Sequence, residues 1–331
     1  MKKIAIILVV ILIFVIGGFY LKQVLTPKPL TPIKVRLGWL GSEQFAGMYV
    51  AKEKGYYKDA GLDVDLQEYQ NGTNNIDQVV TGSVDFSITA PIEIITAINS
   101  GKNIKAVSSI YQISPLSFMS LKAANIVSPA DLKGKVLGVV GGTPQTKLKY
   151  LALLKTAHLT EKDVTFKDLD YSESEAQHLI NKKADIVDVY RTNQPYELQQ
   201  KDLPYNLLLP ENYGIKGYGD TIIATQQLID QKPEIIRSFV QATSKGWEYA
   251  IAHPEESLQI GAKYQNKLYN DPKLEAYILQ QATPLVSVTA GRPIGSMDFV
   301  VWNDVAGEMK ADGLLQNNFD VTSAYTNEFL Q

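Results

Sequence analysis

Short strand patterns alternate with helical patterns along most of the chain, and this alternation constrains the fold more than any other feature of the sequence. Apolar residues alternate with charged ones at 33–37 and 62–66, which is typical of strands. Helical patterns follow at 44–57 and 92–99. Strands that alternate with helices predict β-α-β units around mainly parallel sheets, and therefore an α/β fold.

A second block of the same kind begins after residue 125, and the end of the chain is mostly helical. The block contains predicted strands at 136–140 and 186–189, and from Thr221 the chain returns to a short strand followed by helices. The 331 residues amount to roughly two domains' worth of chain. We therefore expect two α/β lobes, with a ligand cleft at the carboxyl ends of their strands.

The N-terminal segment has the composition of a membrane-inserted helix. Residues 4–21 are almost all apolar and are flanked by lysines. The run is long enough to span a bilayer, which takes about 17–25 residues, and no A-x-A cleavage pattern follows it. We favour an uncleaved anchor over the alternative, a cleaved secretory signal, and either one exports the rest of the chain. The proline-rich residues 23–32 predict an extended linker.

Composition excludes several other classes of protein. A net charge of −3 argues against nucleic-acid binding. The chain has no cysteine, which excludes disulfides, cysteine-ligated metals and a lipid attached through a thiol. Its three histidines form no metal-binding motif, and neither a nucleophile elbow nor a phosphate-binding loop occurs. We therefore predict no catalytic residue, no metal and no cofactor.

Aromatic and polar residues follow the predicted strands where the cleft should lie. Trp39 ends the first strand and is either a stacking surface for a flat ligand or a core residue. Tyr190 and Asn193 take the matching place in the second lobe, and Thr89 ends the strand at 86–88. One aromatic residue from each lobe would sandwich a planar ring, and Asn193 would hydrogen-bond its polar edge.

A glycine-rich turn forms another candidate contact. Gly141-Gly142-Thr143 joins a predicted strand to the start of a helix, where free backbone N–H groups can hold an anion or a polar ligand edge. The alternative is an ordinary turn that needs glycine for tight packing.

Motifs spread along the chain resemble one family of binding proteins. They are WLGSEQFAGMYVA (39–51), KGYY (54–57), GLDV (61–64), GSVDF (82–86), DLKGK (131–135) and GWEYA (246–250). These motifs are similar to those of ABC-transporter substrate-binding proteins of the thiamine-pyrimidine-precursor group, which are related to alkanesulfonate-, taurine- and nitrate-binding proteins. The resemblance covers roughly residues 33–330.

The resemblance implies a two-lobed periplasmic-binding-protein fold of type II, whose lobes are joined by crossing strands near 117–122 and 218–224. Together with the N-terminal patterns it predicts the following organisation. The segments are a signal-anchor helix (1–22), a linker (23–32), the first part of lobe 1 (33–120), lobe 2 (121–219) and the helical return of lobe 1 (220–331).

The resemblance also implies a function and a set of ligand contacts. The expected protein is a monomer outside the cytoplasm, in the periplasm or on the outer face of the cell membrane, anchored by residues 4–21. It would capture a small planar heterocycle, similar to a thiamine pyrimidine precursor, and deliver it to the permease subunits of an ABC importer. The candidate contacts are Trp39, Gln44, Thr89, Gln112, Gly142, Thr143, Tyr190, Asn193 and Asp220.

Other functions stay open at this point. Where many pyrimidine binders carry Asn-His, this chain has Gln44-Phe45, and Phe45 either widens the aromatic surface for a larger ring such as a flavin or faces the core. Arg191 would suit a sulfonate or nitrate, and a membrane-tethered ligand sensor is a further alternative. An enzyme of the family makes the pyrimidine with a lysine and a histidine, which align with Thr89 and Glu93 here, so we predict no enzyme.

Overall fold

Two five-stranded sheets carry the fold, and the first combines strands from distant parts of the chain. In the computed structural model, which describes residues 29–142, 144–267, 270–286 and 291–330, this sheet has the order β2-β1-β3-β10-β4. Strands β1 and β3 are parallel, whereas β10 runs antiparallel to both β3 and β4. The strands are β1 (Thr31–Arg36), β2 (Leu62–Gln67), β3 (Phe86–Thr89), β4 (Ile104–Tyr111) and β10 (Gly219–Thr225).

The second sheet is formed by the middle of the chain and repeats the same strand order, β7-β6-β8-β5-β9. Strand β6 is parallel to β7 and β8, and β5 is antiparallel to β8 and β9. The strands are β5 (Leu116–Leu121), β6 (Val136–Val140), β7 (Thr165–Leu169), β8 (Ile186–Tyr190) and β9 (Tyr205–Leu208). We call each sheet with the helices packed on it a lobe, and the predicted two-lobed α/β fold is confirmed.

The chain passes between the two lobes twice. Strand β5 lies entirely in the second sheet. The crossings themselves are at residues 112–115 and 209–218, before β5 and β10 respectively. The two crossings pair, because the Ser114 N–H donates to the Gly217 carbonyl at 2.8 Å. This pairing makes a two-stranded connection between the lobes.

The helices cover both faces of the two sheets. Many of them begin with proline, whose fixed φ angle and missing N–H suit the first helical position. The helices are α1 (Ala46–Glu53), α2 (Tyr56–Asp59), α3 (Asn75–Val80), α4 (Pro91–Asn99), α5 (Pro144–Thr156), α6 (Glu175–Ile180), α7 (Pro195–Gln200), α8 (Gln226–Gln231), α9 (Pro233–Ala252), α10 (Pro254–Gly261), α11 (Pro272–Val286) and α12 (Phe299–Ala311).

The core of the first lobe depends on close contact between α1 and α9. A side-chain carbon on Gly246 would lie 2.0 Å from the carbonyl oxygen of Gly47, so the two backbones touch at this point. Trp247, which is buried, packs directly against Gly47. Phe45 is also buried in this core, so it adds no aromatic surface to a cleft.

The predicted membrane anchor falls outside the described residues. Of the helices in the described ranges, none has the length and apolar character needed to cross a bilayer. Residues 4–21, the predicted anchor, precede the first described residue. Within the predicted linker 23–32, β1 already begins at Thr31.

Candidate functional site

Gln44 and Asp220 form a hydrogen-bonded pair at the end of the first sheet where strands β1 and β3 terminate. Gln44 lies in a short turn of 3-10 helix that is capped by the Ser42 hydroxyl. Its side-chain amide donates to Oδ1 of Asp220 at 2.9 Å and to Oδ2 at 3.2 Å. Asp220 is the second residue of β10, whose first residues lie at the same edge as the carboxyl ends of β1 and β3. Two predicted contact residues therefore meet directly.

Asp220 has an unusual environment for a carboxylate. Only 7% of its surface is exposed, and its backbone φ is 45°, a left-handed conformation that L residues adopt at a cost of about 1–3 kcal/mol. Burial raises the pKa of Asp220 to about 7, while the hydrogen bond from Gln44 acts in the opposite direction. Strained and buried titratable groups of this kind are typical of functional sites.

Thr89 and Tyr190 lie beside this pair, on opposite lobes. Thr89 ends β3 and is paired in register with Thr221, the residue after Asp220, and its hydroxyl donates to the carboxylate of Glu93. Tyr190 ends β8 in the second lobe. Burial raises the pKa of Tyr190, and the negative charges of Asp220, Glu93 and Asp188 raise it further. Tyr190 is therefore within electrostatic range of two acids of the first lobe.

Trp39 contributes an exposed aromatic surface at the same edge of the first sheet. It follows β1, and 40% of its surface is exposed, so it is not a core residue. Its ring stacks on Tyr69, with ring centroids 5.6 Å apart and an angle of 18° between the planes. The Tyr69 N–H also donates to the Trp39 carbonyl at 3.1 Å, which joins the two segments. We call these two residues the Trp39–Tyr69 stack.

Tyr171 is a second exposed aromatic residue, on the other lobe. It follows β7, 69% of its surface is exposed, and its ring lies on Gly141. A side-chain carbon on Gly141 would be 2.2 Å from the Tyr171 hydroxyl, and the φ of this glycine is 70°. Partial burial is the main cause that raises the pKa of Tyr171. The charges of Asp188 and Glu175 raise this pKa further, and so does Tyr69. Tyr69 of the first lobe is therefore among the groups close enough to act on the Tyr171 hydroxyl.

The glycine turn itself uses its N–H groups within the backbone. Gly141 donates to the Leu169 carbonyl at 2.7 Å and Gly142 to the Val139 carbonyl at 3.3 Å. Next to it, the Asp188 carboxylate accepts hydrogen bonds from the Val140 N–H, 2.8 Å, and from the Thr146 hydroxyl, 2.9 Å. An acid is thus already held at the start of α5, which disfavours an anionic ligand there. Thr143, the third predicted residue of the turn, lies outside the described residues.

Gln112 and Asn193 are placed differently from the other predicted residues. The side chain of Gln112 donates to the Ser109 carbonyl at 2.6 Å, and Gln112 lines a cavity of about 250 Å³ beside the crossing segments. Asn193 follows Tyr190 in a turn, where its N–H donates to the Tyr190 carbonyl at 2.9 Å. The structure therefore groups Gln44, Thr89, Tyr190 and Asp220, with Asn193 next to Tyr190 and Gln112 directly after β4, the strand that pairs with β10.

The arginines of the chain are all engaged elsewhere. Each of the four has a carboxylate, amide or carbonyl partner, and Arg191, the candidate for an anion, forms an ion pair with Glu211. The charged groups around Tyr190 are acidic: Asp220, Glu93 and Asp188. This distribution favours a neutral or cationic ligand over a sulfonate or nitrate. The other partners are Gln78 and the Glu68 carbonyl for Arg36, the Glu328 carbonyl for Arg237, and Asp298 for Arg292.

Sequence reasoning missed Tyr69 and Tyr171, although a signal for both was present. Each follows a strand of the parallel part of its sheet by two residues, β2 in the first lobe and β7 in the second. The rule that singled out Trp39 and Tyr190, an aromatic residue at the carboxyl end of a strand, applies equally to these two. Within the described ranges, no group of three or more His, Asp or Glu side chains is arranged to hold a metal ion.

Helices from the end of the first lobe also contact the second lobe. Lys149 on α5 forms an ion pair of 2.7 Å with Glu308 on α12, and both side chains are largely buried. The Tyr277 hydroxyl on α11 donates to the Arg191 carbonyl at 3.3 Å. These contacts and the crossing segments hold the two lobes beside the candidate site.

The two sheets and the cleft residues define a protein of the periplasmic-binding-protein fold. The aliphatic sulphonate binding protein SsuA of Escherichia coli has this fold, and its crystal structure matches with a TM-score of 0.69 at 15% identity over 88% of this chain and 91% of that one. The model of the family described as "NMT1/THI5 like" matches residues 42–257. The chain belongs to this family.

Several relatives resemble the chain over most of its length. A riboflavin-binding protein, RibY, of Chloroflexus aurantiacus is 28% identical over 91% of this chain and 86% of its own. A formylaminopyrimidine-binding protein of Halalkalibacterium halodurans is 23% identical over 99% of both chains. A relative from Legionella pneumophila, 22% identical over 90% of this chain and 92% of its own, is named 4-amino-5-hydroxymethyl-2-methylpyrimidine phosphate synthase.

Proposed function

We propose that the chain is the solute-binding protein of an ABC importer and captures a small planar heterocycle between its two lobes. The observation that carries this proposal is the arrangement of Asp220, Tyr190 and Trp39, which offers a buried acid and aromatic surfaces from both lobes. Flat ligands are held by ring stacking, and a few polar groups fix their orientation. The names of the two binding-protein relatives support the same ligand class.

Asp220 and Gln44 are well suited to the polar edge of a heterocycle. The carboxylate accepts hydrogen bonds from ring N–H or amino groups, and the amide offers a donor and an acceptor. Because a ligand donor would satisfy a buried carboxylate, its hydrogen bond to the ionised form would be stronger than one between neutral groups. Thr89 and Asn193 would add contacts at the rim, and Gly142 and Thr143 would border the ring from the second lobe. Gln112, which follows β4 beside β10, would add a polar contact at the same end of the first sheet.

Two ligand alternatives are compatible with the fold. Riboflavin is the larger heterocycle, and its bound rings would need more aromatic surface than a pyrimidine. A sulfonate or nitrate is disfavoured because Arg191 is paired with Glu211 and the neighbouring groups are acidic. A membrane-tethered sensor would use the same cleft, and only its partner would differ.

Catalysis has less support than binding. The synthase relative shows that an enzyme of similar sequence exists. In this chain, however, the positions aligned with that kind of enzyme's lysine and histidine hold Thr89 and Glu93, which are hydrogen-bonded to each other. Neither side chain forms a Schiff base or supplies an imidazole, so we propose binding without turnover.

The same proposal gives the location and the partners. A solute-binding protein of this type acts outside the cytoplasm and delivers its ligand to permease subunits. We propose that residues 4–21 anchor the chain and that it acts as a monomer, with the two lobes connected by the crossings at residues 112–115 and 209–218.

A thermal-shift screen of the purified full chain tests the proposal. The compounds are riboflavin, formylaminopyrimidine, 4-amino-5-hydroxymethyl-2-methylpyrimidine, an alkanesulfonate and nitrate. A compound present at 100 times its Kd stabilises the folded protein by about 2.7 kcal/mol, which raises the unfolding temperature measurably. We expect at least one heterocycle to do so and the anions to have no effect. Stabilisation by an anion alone would contradict the heterocycle proposal.

A double variant tests the site itself. Trp39→Ala with Tyr190→Ala should abolish the ligand-induced shift while leaving the unliganded protein folded. Phe299→Ala is the matched control, because Phe299 is half-exposed on α12 and is not among the cleft residues. Unchanged affinity of the double variant by calorimetry would disprove the proposed role of these two aromatic residues in binding.

A further inference from the structure

The cleft contains two groups of contact residues that are attached to different strands. The polar group is formed by Gln44, Asp220 and Tyr190, which lie near β10 and at the end of β8. The aromatic group is formed by the Trp39–Tyr69 stack and Tyr171, which follow β1, β2 and β7. Each group includes residues of both lobes, so each can hold one end of a ligand.

The strand order gives an approximate distance between the polar group and the aromatic group. In the first sheet, β10 is followed by β3 and then by β1, so Asp220 and Trp39 are two strands apart. In the second sheet, β8 is followed by β6 and then by β7, so Tyr190 and Tyr171 are also two strands apart. Neighbouring strands are separated by about 4.8 Å, which places the groups roughly 10 Å apart in both lobes. A single six-membered ring does not reach across this distance, whereas two or three fused rings do.

The aromatic group also offers rings from both lobes. Trp39 and Tyr69 are stacked, with their ring planes nearly parallel at 18° and their centroids 5.6 Å apart. Tyr171 is mostly exposed although it is aromatic, and it rests on a glycine that admits no larger side chain. Exposed aromatic residues that follow strands of two lobes can close on the two sides of a ring.

We infer that Tyr69 and Tyr171 close on the far end of a fused-ring heterocycle whose N–H edge binds Asp220, and that they select such ligands over single-ring pyrimidines. This inference rests on the proposed function and names its ligand class. The ligand has a hydrogen-bond donor at one end and an apolar ring at the other, and it carries no negative charge on the ring system. Riboflavin has this chemistry and serves as the probe.

The test compares one fused-ring and one single-ring compound on the same full chain. Calorimetry gives the Kd of riboflavin and of 4-amino-5-hydroxymethyl-2-methylpyrimidine for the wild type and for the variants Tyr171→Ala, Tyr171→Phe and Tyr69→Ala. We expect the wild type to bind riboflavin at least tenfold more tightly than the pyrimidine. Tyr171→Ala and Tyr69→Ala should each weaken riboflavin binding by about tenfold and change pyrimidine binding less than twofold, because stacking is lost only at the far ring. Tyr171→Phe should keep the wild-type ratio.

Riboflavin fluorescence gives a second measurement that a purely structural role would not change. Stacking against tyrosine and tryptophan should quench the flavin in the wild type and in Tyr171→Phe, and the quenching should be smaller in Tyr171→Ala. Phe299→Ala is the control for loss of an exposed aromatic residue outside the cleft. Equal losses for both compounds, or an unchanged ratio in the two alanine variants, would overturn the inference.

The outcomes also separate this inference from the proposed function. If the pyrimidine binds and riboflavin does not, the heterocycle-binding function holds and the fused-ring inference is wrong. If neither compound binds and no other heterocycle of the thermal-shift screen does, both are wrong.

Discussion

Gln44 and Asp220 are 176 residues apart in the sequence, and the amide of one donates to both carboxylate oxygens of the other. The pair joins the turn after β1 to the start of β10. Among the described groups that act on Asp220, burial favours the neutral acid and the Gln44 amide favours the carboxylate. Asp220 is therefore balanced between its two protonation states near neutral pH, in a position to bind a ligand donor.

We expect ligand affinity to fall as the pH decreases below about 7. The pKa of Asp220 is raised to about 7 by burial, and a ligand N–H binds the ionised form. Each pH unit below the pKa leaves about tenfold less of that form, so the Kd should rise by about tenfold per unit. Titration calorimetry between about pH 5 and pH 8 measures this dependence.

The variant Asp220→Asn separates this effect from titration of other groups. An asparagine does not titrate, so the variant should bind more weakly at about pH 8 and show little change with pH. A wild-type pH profile in Asp220→Asn would assign the titration to another residue.

The two-lobed fold could be predicted from the sequence because its signal is local. Alternating apolar residues and helical stripes repeat in both halves of the chain, and the return of the chain at Thr221 marks a strand of the first lobe. The insertion of β10 between β3 and β4 could not be predicted in this way. It depends on pairing between strands that are more than 100 residues apart, which leaves no periodic pattern in either strand.

The site could be predicted only in part. The rule that ligands bind at the carboxyl ends of strands found Trp39, Thr89 and Tyr190. It did not show that Trp39 stacks on Tyr69, or that Tyr171 rests on Gly141, because both contacts depend on the order of the strands. Contacts between residues on different strands can be predicted only once the strand order is known. The residue types at strand ends can be read from the sequence alone.

Two buried glutamates should make the protein less stable at higher pH. Glu43 and Glu275 are completely buried in the first lobe, where Glu275 accepts the Glu43 N–H at 2.6 Å. Burial, with the charge of Glu275, raises the pKa of Glu43 to about 8, and burial with the charge of Asp271 raises the pKa of Glu275 to about 7. The other groups acting on this pair, Tyr49 and Asp271, are uncharged or acidic.

The sign of the effect follows from the direction of these shifts. The unfolded chain ionises these side chains near pH 4.5, whereas the folded protein keeps its protons until about pH 7–8. The free energy of unfolding should therefore fall as the pH rises from about 4.5 to about 8, by up to about 1.4 kcal/mol per unit for each group. Urea unfolding at a series of pH values measures this slope.

The variant Glu43→Gln should reduce the slope, because glutamine does not ionise. Glu234→Gln is the matched control, since Glu234 is exposed in the first turn of α9. The explanation fails if Glu43→Gln keeps the full wild-type slope, or if the control reduces it equally.

The buried ion pair between Lys149 and Glu308 should contribute strongly to the stability of the contact between the two lobes. Their side chains are only 8% and 14% exposed, and the Lys149 ammonium also donates to the Lys216 carbonyl at 3.0 Å. Glu308→Ala leaves a largely buried ammonium without its counter-charge, which should cost about 3 kcal/mol of unfolding free energy. The double variant Lys149→Met with Glu308→Leu should recover most of this loss, because it removes both charges and keeps the volume.

The exposed neighbour of this pair is the control. Lys155 on α5 is 52% exposed and pairs at 3.1 Å with Asp312, which directly follows α12 and is 17% exposed. Surface ion pairs contribute about 0–1 kcal/mol, so Lys155→Met should change stability by less than about 1 kcal/mol. Equal effects of Glu308→Ala and Lys155→Met in urea unfolding would show that burial does not increase the contribution of the Lys149–Glu308 pair to stability.

A methyl group at Gly246 should destabilise the first lobe, although alanine is the better helix former. The new carbon would lie 2.0 Å from the Gly47 carbonyl and 2.8 Å from the Ala51 side chain, so α1 and α9 would have to separate. Overpacking of this kind costs about 1–3 kcal/mol.

Gly307, on the exposed side of α12, is the matched control because a carbon there meets no heavy atom within 4 Å. Gly307→Ala should raise the free energy of unfolding by about 0.5–1 kcal/mol through helix propensity alone. Urea unfolding of both variants tests this, and a stabilised Gly246→Ala would show that the two helices do not pack as closely as the structure indicates.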